Sequence, residues 1–99
     1  MSNEARMLTP ELLGLRVGRM IPREDYHNAS WFDGTGRKIG WGDLSNADCT
    51  RIAGVLLPGE TVYVVGEHDS YWNAPPEGLT LDYIKRKARR VITPEPSRG

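Results

Sequence analysis

A glycine-punctuated reversal, Asp33-Gly34-Thr35-Gly36, lies between two short runs of strand-forming residues and constrains this chain more than any other feature. Asp-Gly followed by a second Gly supplies the positive-φ positions of a tight turn, so strands over 29–33 and 37–41 are expected to pair as a hairpin. Ile39 and Trp41 alternate with Lys38, Gly40 and Gly42, which puts both on one face, the face expected to be buried. Trp31 and Trp41 flank the turn on opposite strands and would form a cross-strand aromatic pair.

The residues that follow leave little slack. Ser45 with Asp48 three positions on is a reciprocal capping pattern, so a helix starts there. Cys49, Ile52, Ala53 and Leu56 recur on a 3.6-residue period, giving an amphipathic helix over 45–57 that Leu57-Pro58-Gly59 ends. The stretch 60–66 is Val and Tyr with a Thr, too β-branched and too short for a helix, and reads as a strand.

On either side the signals are weaker. Residues 1–8 are polar and expected to be flexible. Thr9-Pro10-Glu11 announces a short helix over 10–13 that Gly14 stops. Leu15, Val17 and Arg19 alternate with Arg16, Gly18 and Met20, so 15–21 is a possible further strand. Residues 22–29 and 67–78 read as loops, the second closed by Pro75-Pro76 and Gly78. Thr80 caps a helix over 80–91 whose apolar line is Leu81, Ile84, Ala88 and Val91. The tail 93–99, with Pro94 and Pro96, is expected to be disordered.

These elements predict one globular domain over 9–92 of α+β class. Its three- or four-stranded, mostly antiparallel sheet would carry helices 45–57 and 80–91 on one face. The connection from the hairpin to strand 60–66 fits either a parallel crossover or an antiparallel placement. With 38% hydrophobic and 26% charged residues the composition is that of an ordinary folded domain. Thirteen basic and thirteen acidic residues cancel, so no overall field steers the molecule to DNA or an anionic membrane. A single cysteine, Cys49, allows no internal disulfide. No apolar run approaches a membrane span or signal sequence, and a cytoplasmic location is expected.

Two segments attract functional attention. Glu67-His68-Asp69-Ser70 gathers a base, two carboxylates and a hydroxyl beyond a strand end, followed by Tyr71 and Trp72, residue types favoured as interface anchors. Neighbours on an extended chain point in different directions, so they do not converge as a nucleophile and its base must, and with His27 they match no metal-ligand spacing. Asp33-Gly34-Thr35-Gly36 is followed by a strand, which excludes a phosphate-binding loop. Cys49, in a helix interior beyond the cap, reads as an inert core thiol.

The second segment is Lys85-Arg86-Lys87-Ala88-Arg89-Arg90, with five bases in six positions. Between Glu24 and Asp82 the chain holds ten acids against three bases, a net charge of −7, so charge is segregated along the chain. On a helix, Lys85 with Arg89 and Arg86 with Arg90 are i, i+4 pairs forming a positive ridge; the simplest role is complementing the helix dipole and the acidic body.

The reading that follows is a non-enzymatic protein-binding module without cofactor or metal. It would dock a larger protein or complex through Glu67, His68, Asp69, Tyr71, Trp72, Lys85, Arg86, Arg89 and Arg90. An inhibitor, an immunity-type protein or an accessory factor would suit it, including one encoded by a phage against a host defence complex. The alternatives are a nucleic-acid-binding accessory protein using the basic helix and a small enzyme or metal protein around His68 and Asp69.

Overall fold

The computed structural model describes residues 6–19, 29–66 and 79–95. Seven elements follow in order: α1 (Pro10–Leu13), β1 (Ala29–Asp33), β2 (Lys38–Gly42), α2 (Asn46–Val55), β3 (Val62–Gly66), α3 (Leu81–Lys87) and β4 (Ala88–Ile92). The four strands form one antiparallel sheet in the order β2-β1-β3-β4, and with the helices they make a small α+β fold.

The hairpin is the one its glycines predict, though it uses only one of them in the left-handed region. Gly36 takes φ 95°, while Asp33 Oδ1 accepts bonds from the Thr35 and Arg37 backbone amides and from the Thr35 hydroxyl. The Asp33 side chain thus does part of the work of the turn. The chain then passes through α2 and returns as β3 beside β1, antiparallel to it. β2 and β3 therefore run parallel with β1 between them, which decides the connection that the sequence leaves open.

Because β1 is central, both its faces must be covered. Trp31 enters a cluster with Leu8 and Leu13 from the α1 segment, Cys49, Ile52 and Leu56 from the α2 segment, and Val62, Val64 and Ile92. Phe32, its neighbour, packs on the opposite face with Val65 and Ile84. The helices thus cover both faces, α1 and α2 on one and α3 on the other, and the expectation of helices on a single face is corrected. Ala-Ser-Trp-Phe, buried at every position, is the unbroken run of a strand enclosed from both sides.

A second correction concerns the C-terminal helix. It stops at Lys87, and Ala88–Ile92, expected to continue it, pairs with β3 as β4. As a helix this segment would leave the outer backbone groups of β3 without their strand partners; as a strand it satisfies them and buries the β-branched Ile92 beside Val62.

Two register shifts shape the sheet. On β2, Trp31 pairs with Gly40 and Phe32 with Lys38, leaving Ile39 as an extra residue. A bulge of this kind undoes strict alternation. Ile39 is buried with the Trp31 cluster while Trp41 is 38% exposed, so the two do not share a buried face. Nor do Trp31 and Trp41 form a cross-strand pair, since Trp41 lies opposite Ser30. What faces Trp31 is the bare Gly40 backbone, where an added Cβ would come within 3.1 Å of the ring. On β4 the extra residue is Arg89, between the pairs Val64–Arg90 and Val65–Ala88.

The expected strand 15–21 is a turn in its described part. Gly18 takes φ 80°, and the Arg19 amide donates back to Arg16 O. This turn still serves the sheet, because Gly18 N–H donates to Trp41 O and Asp43 N–H to Arg19 O, each at 2.8 Å, closing one end of the β2 edge. Nor is the start of the described chain loose: Arg6 makes a two-pronged ion pair with Glu60, both distances 2.8 Å, and Leu8 is buried. At the other end, Glu95 N–H donates to Ala53 O.

Gly40→Ala should therefore destabilise the fold by about 1–3 kcal/mol, as overpacking against Trp31. Gly54→Ala, in the last turn of α2 with nothing within 4 Å of the added carbon, should stabilise it by about 0.5 kcal/mol. Urea unfolding of the two variants checks both signs, and equal stabilities would refute the assigned role of Gly40.

Candidate partner-binding edge and an arginine-lined cleft

The basic segment is positioned by its cap. Thr80 Oγ1 accepts the Tyr83 amide, Asp82 lies in the first turn, and Ile84 and Tyr83 are buried against the sheet, which leaves Lys85, Arg86 and Lys87 in the last turn. There they complement the helix dipole, as expected from sequence. Arg86 stands over the Tyr83 ring at 5.5 Å, a cation–π contact one turn apart.

The continuous ridge expected along one helix does not exist, because the helix gives way to a strand between Lys87 and Arg89. Arg89 lies across Gly66, where an added Cβ would come within 3.2 Å of Arg89 Cδ. Arg90 turns towards α2, donating to Asn46 Oδ1 at 3.1 Å and approaching Cys49 Sγ at 3.3 Å. Lys85 and Arg86 thus stand on the α3 side of the sheet, and Arg89 and Arg90 on the α2 side. The cations straddle the start of β4, which is the outermost strand on its side among the described residues. The ion pairs found among the described residues are Arg6–Glu60, Arg19–Asp48, Arg37–Asp33 and Arg51–Asp48, and none of these involves the basic segment; Glu24, Asp25, Glu67, Asp69 and Glu77 lie outside the described residues. Val91, 51% exposed, adds an apolar side chain to the same edge.

Burial raises the Cys49 thiol pKa, and the Arg90 guanidinium offsets it only in part. The thiol is accordingly protonated at neutral pH, in keeping with a core role.

A different assembly was not signalled by any motif. Asp48, 3% exposed, completes the α2 cap: its Oδ2 accepts the Ser45 amide at 3.0 Å, and its own amide donates to Ser45 Oγ at 3.1 Å. The same carboxylate holds Arg19 and, at 2.9 Å, Arg51; Arg51 also donates to Gly14 O at 2.8 Å, and Arg19 reaches Asp43 O. Desolvation by burial would raise the Asp48 pKa, but the Ser45 hydrogen bonds and the Arg19 guanidinium outweigh it and hold the carboxyl below its usual range. Between these groups opens a cleft of about 250 Å³, lined by Arg16, Arg19, Arg51, Asp43 and Asp48 together with apolar side chains. Only Asp48 and Arg51, at i, i+3 on one helix, are close enough in sequence to have been read as a pair.

Of the residues singled out in the sequence, Glu67, His68, Asp69, Tyr71 and Trp72 lie outside the described residues, as does His27. Among the described residues, no three His, Cys, Asp or Glu side chains gather in a way that could hold a metal ion. No described helix is long and apolar enough to cross a membrane. No protein-family model, curated protein or solved structure matches this chain.

The carboxylates carry a pH prediction. Asp33 is also depressed, the opposing effect of burial being outweighed by bonds from Thr35 and Arg37. A carboxyl whose folded pKa is lowered contributes stability above its unfolded value of about 4, and that stability is lost as pH falls through the folded value. Unfolding free energy should hold across neutral pH and drop below about pH 4. Asp48→Asn should cost about 2 kcal/mol at pH 7 and make the acid limb shallower. Denaturant titrations at pH 7 and pH 3 measure both, and an acid limb as steep as the wild type's would remove Asp48 from this role.

Proposed function

We propose that this chain is a non-catalytic recognition module that binds an acidic, extended segment of a larger protein along β4, in the manner of an inhibitor, immunity-type or accessory factor. The observation that carries this reading is the placement of Lys85, Arg86, Arg89 and Arg90 on both sides of an outer strand. An added strand presents successive side chains to opposite faces, so acidic residues at either parity would meet a cation. Backbone bonds to β4 would supply affinity, and Val91 an apolar contact beside Tyr63, its cross-strand neighbour.

Charge also argues against a second copy as the occupant. Two β4 strands paired antiparallel would bring Arg89 and Arg90 of each close to those of the other, and like charges directly across a ladder are destabilising. An acidic partner relieves that repulsion.

A peptide alternating Glu with Val or Thr serves as the probe. It should shift the amide resonances of 88–92, bind more weakly as salt rises, and lose at least about tenfold in affinity to a Lys85→Glu/Arg89→Glu variant. A double variant that binds as the wild type does would overturn the assignment. Tighter binding of an oligonucleotide than of the peptide, at equal salt, would move the function to nucleic acid.

A further inference from the structure

Asp33 is the only Asp or Asn of the sequence that is followed directly by glycine. With no Cβ on the next residue to shield it, the amide nitrogen there attacks the aspartate side chain when the backbone is free to move. The Gly34 nitrogen would form a bond to Asp33 Cγ, while a carboxyl oxygen leaves as water with its own proton and the amide proton. Water then reopens the cyclic imide at either carbonyl. Opening at the backbone carbonyl leaves an isoaspartate, whose main chain runs through Cβ and Cγ and is one carbon longer. Gly34 and Thr35 lie exposed on the surface, so solvent has access to this site.

The turn opposes that reaction through three features. Asp33 Oδ1 accepts the Thr35 amide at 3.0 Å, the Thr35 hydroxyl at 2.7 Å and the Arg37 amide at 3.0 Å, and Oδ2 faces Arg37 Nε at 3.2 Å. Ring closure removes one of these oxygens and turns the other, so it forfeits the set. The backbone is held as well: Asp33 pairs with Val62, its N–H donates to Arg37 O at 2.9 Å, and its carbonyl accepts the Gly36 N–H at 3.0 Å. An imide needs a negative ψ at the aspartate, whereas a strand residue sits at about +135°. Finally, the departing oxygen must be protonated; burial favours that, but the bonds from Thr35 and Arg37 outweigh it and keep the carboxyl ionised to lower pH than usual.

We propose that this hairpin turn protects its own Asp-Gly peptide from imide formation, with Thr35 and Arg37 as the protecting residues, so that isomerisation is confined to molecules in which the turn has opened. The protection matters for the sheet, because an isoaspartate would lengthen the connection between β1 and β2, the strands that set Gly40 against Trp31.

The test is prolonged warm incubation of the full chain at mildly acidic pH, with and without urea, followed by digestion and chromatographic separation of the aspartate and isoaspartate peptides. The urea-unfolded chain should isomerise at least about tenfold faster than the folded one, since the folded chain reacts only through local opening. Folded Thr35→Ala, which loses the hydroxyl donor from an exposed position, should isomerise roughly threefold or more faster than the folded wild type. In urea the two chains should share one rate. Equal rates for the folded and unfolded wild type would overturn the proposal. So would a Thr35→Ala variant, folded by its amide spectrum, that isomerises no faster than the wild type, or a difference between the two chains that persists undiminished in urea.

Discussion

The Trp31 ring laid against the bare backbone of Gly40 is the contact on which the rest of this small sheet depends. Trp31 is wholly buried at the centre of the larger core cluster, and its indole N–H is satisfied by Gly42 O at 3.2 Å. Large area and a paired polar atom make such a ring a strong organiser of a core, provided that room exists for it. Room comes from the missing side chain at Gly40. The bulge next to it swings Ile39 inwards, and α1, α2 and the 14–19 turn close over the same site. One aromatic residue therefore sets the local register of β2, the face that Ile39 takes and the seat of the helices.

Local chemistry was legible where the partner lay within a few residues. The Asp33 turn, the Ser45–Asp48 cap, and the Thr9 and Thr80 caps follow from side chains that bond their own backbone. What the sequence hid were choices made by distant neighbours. Leu81, Ile84, Ala88 and Val91 fit a helical stripe, yet the last two belong to a strand, because β3 offers an edge no one-dimensional period can register. Trp41 looked like the partner of Ile39 until a bulge, imposed by Trp31 from another strand, separated them. The cleft shows the same limit more strongly: Arg51 lies some thirty residues from Arg16 and Arg19, and only folding brings it beside them.

Charge is arranged with equal economy across the molecule. Asp48 serves at once as helix cap and as anchor for two arginines, so a single buried carboxylate ties α2 to the 14–19 turn. Arg90 joins β4 to the same helix through Asn46 and Cys49. By contrast, Lys85 and Arg89 remain without an acidic partner among the described residues. The ion pairs found among the described residues thus lie away from the basic segment.

Both flanking strands carry one surplus residue, Ile39 in β2 and Arg89 in β4, so neither side offers a straight, uninterrupted ladder. Long flat β-segments of the kind that propagate fibrils would lose register after two or three residues on either flank. A short segment, or one with a matching irregularity of its own, would not. The same surplus residues would also disfavour edge-to-edge pairing of identical molecules.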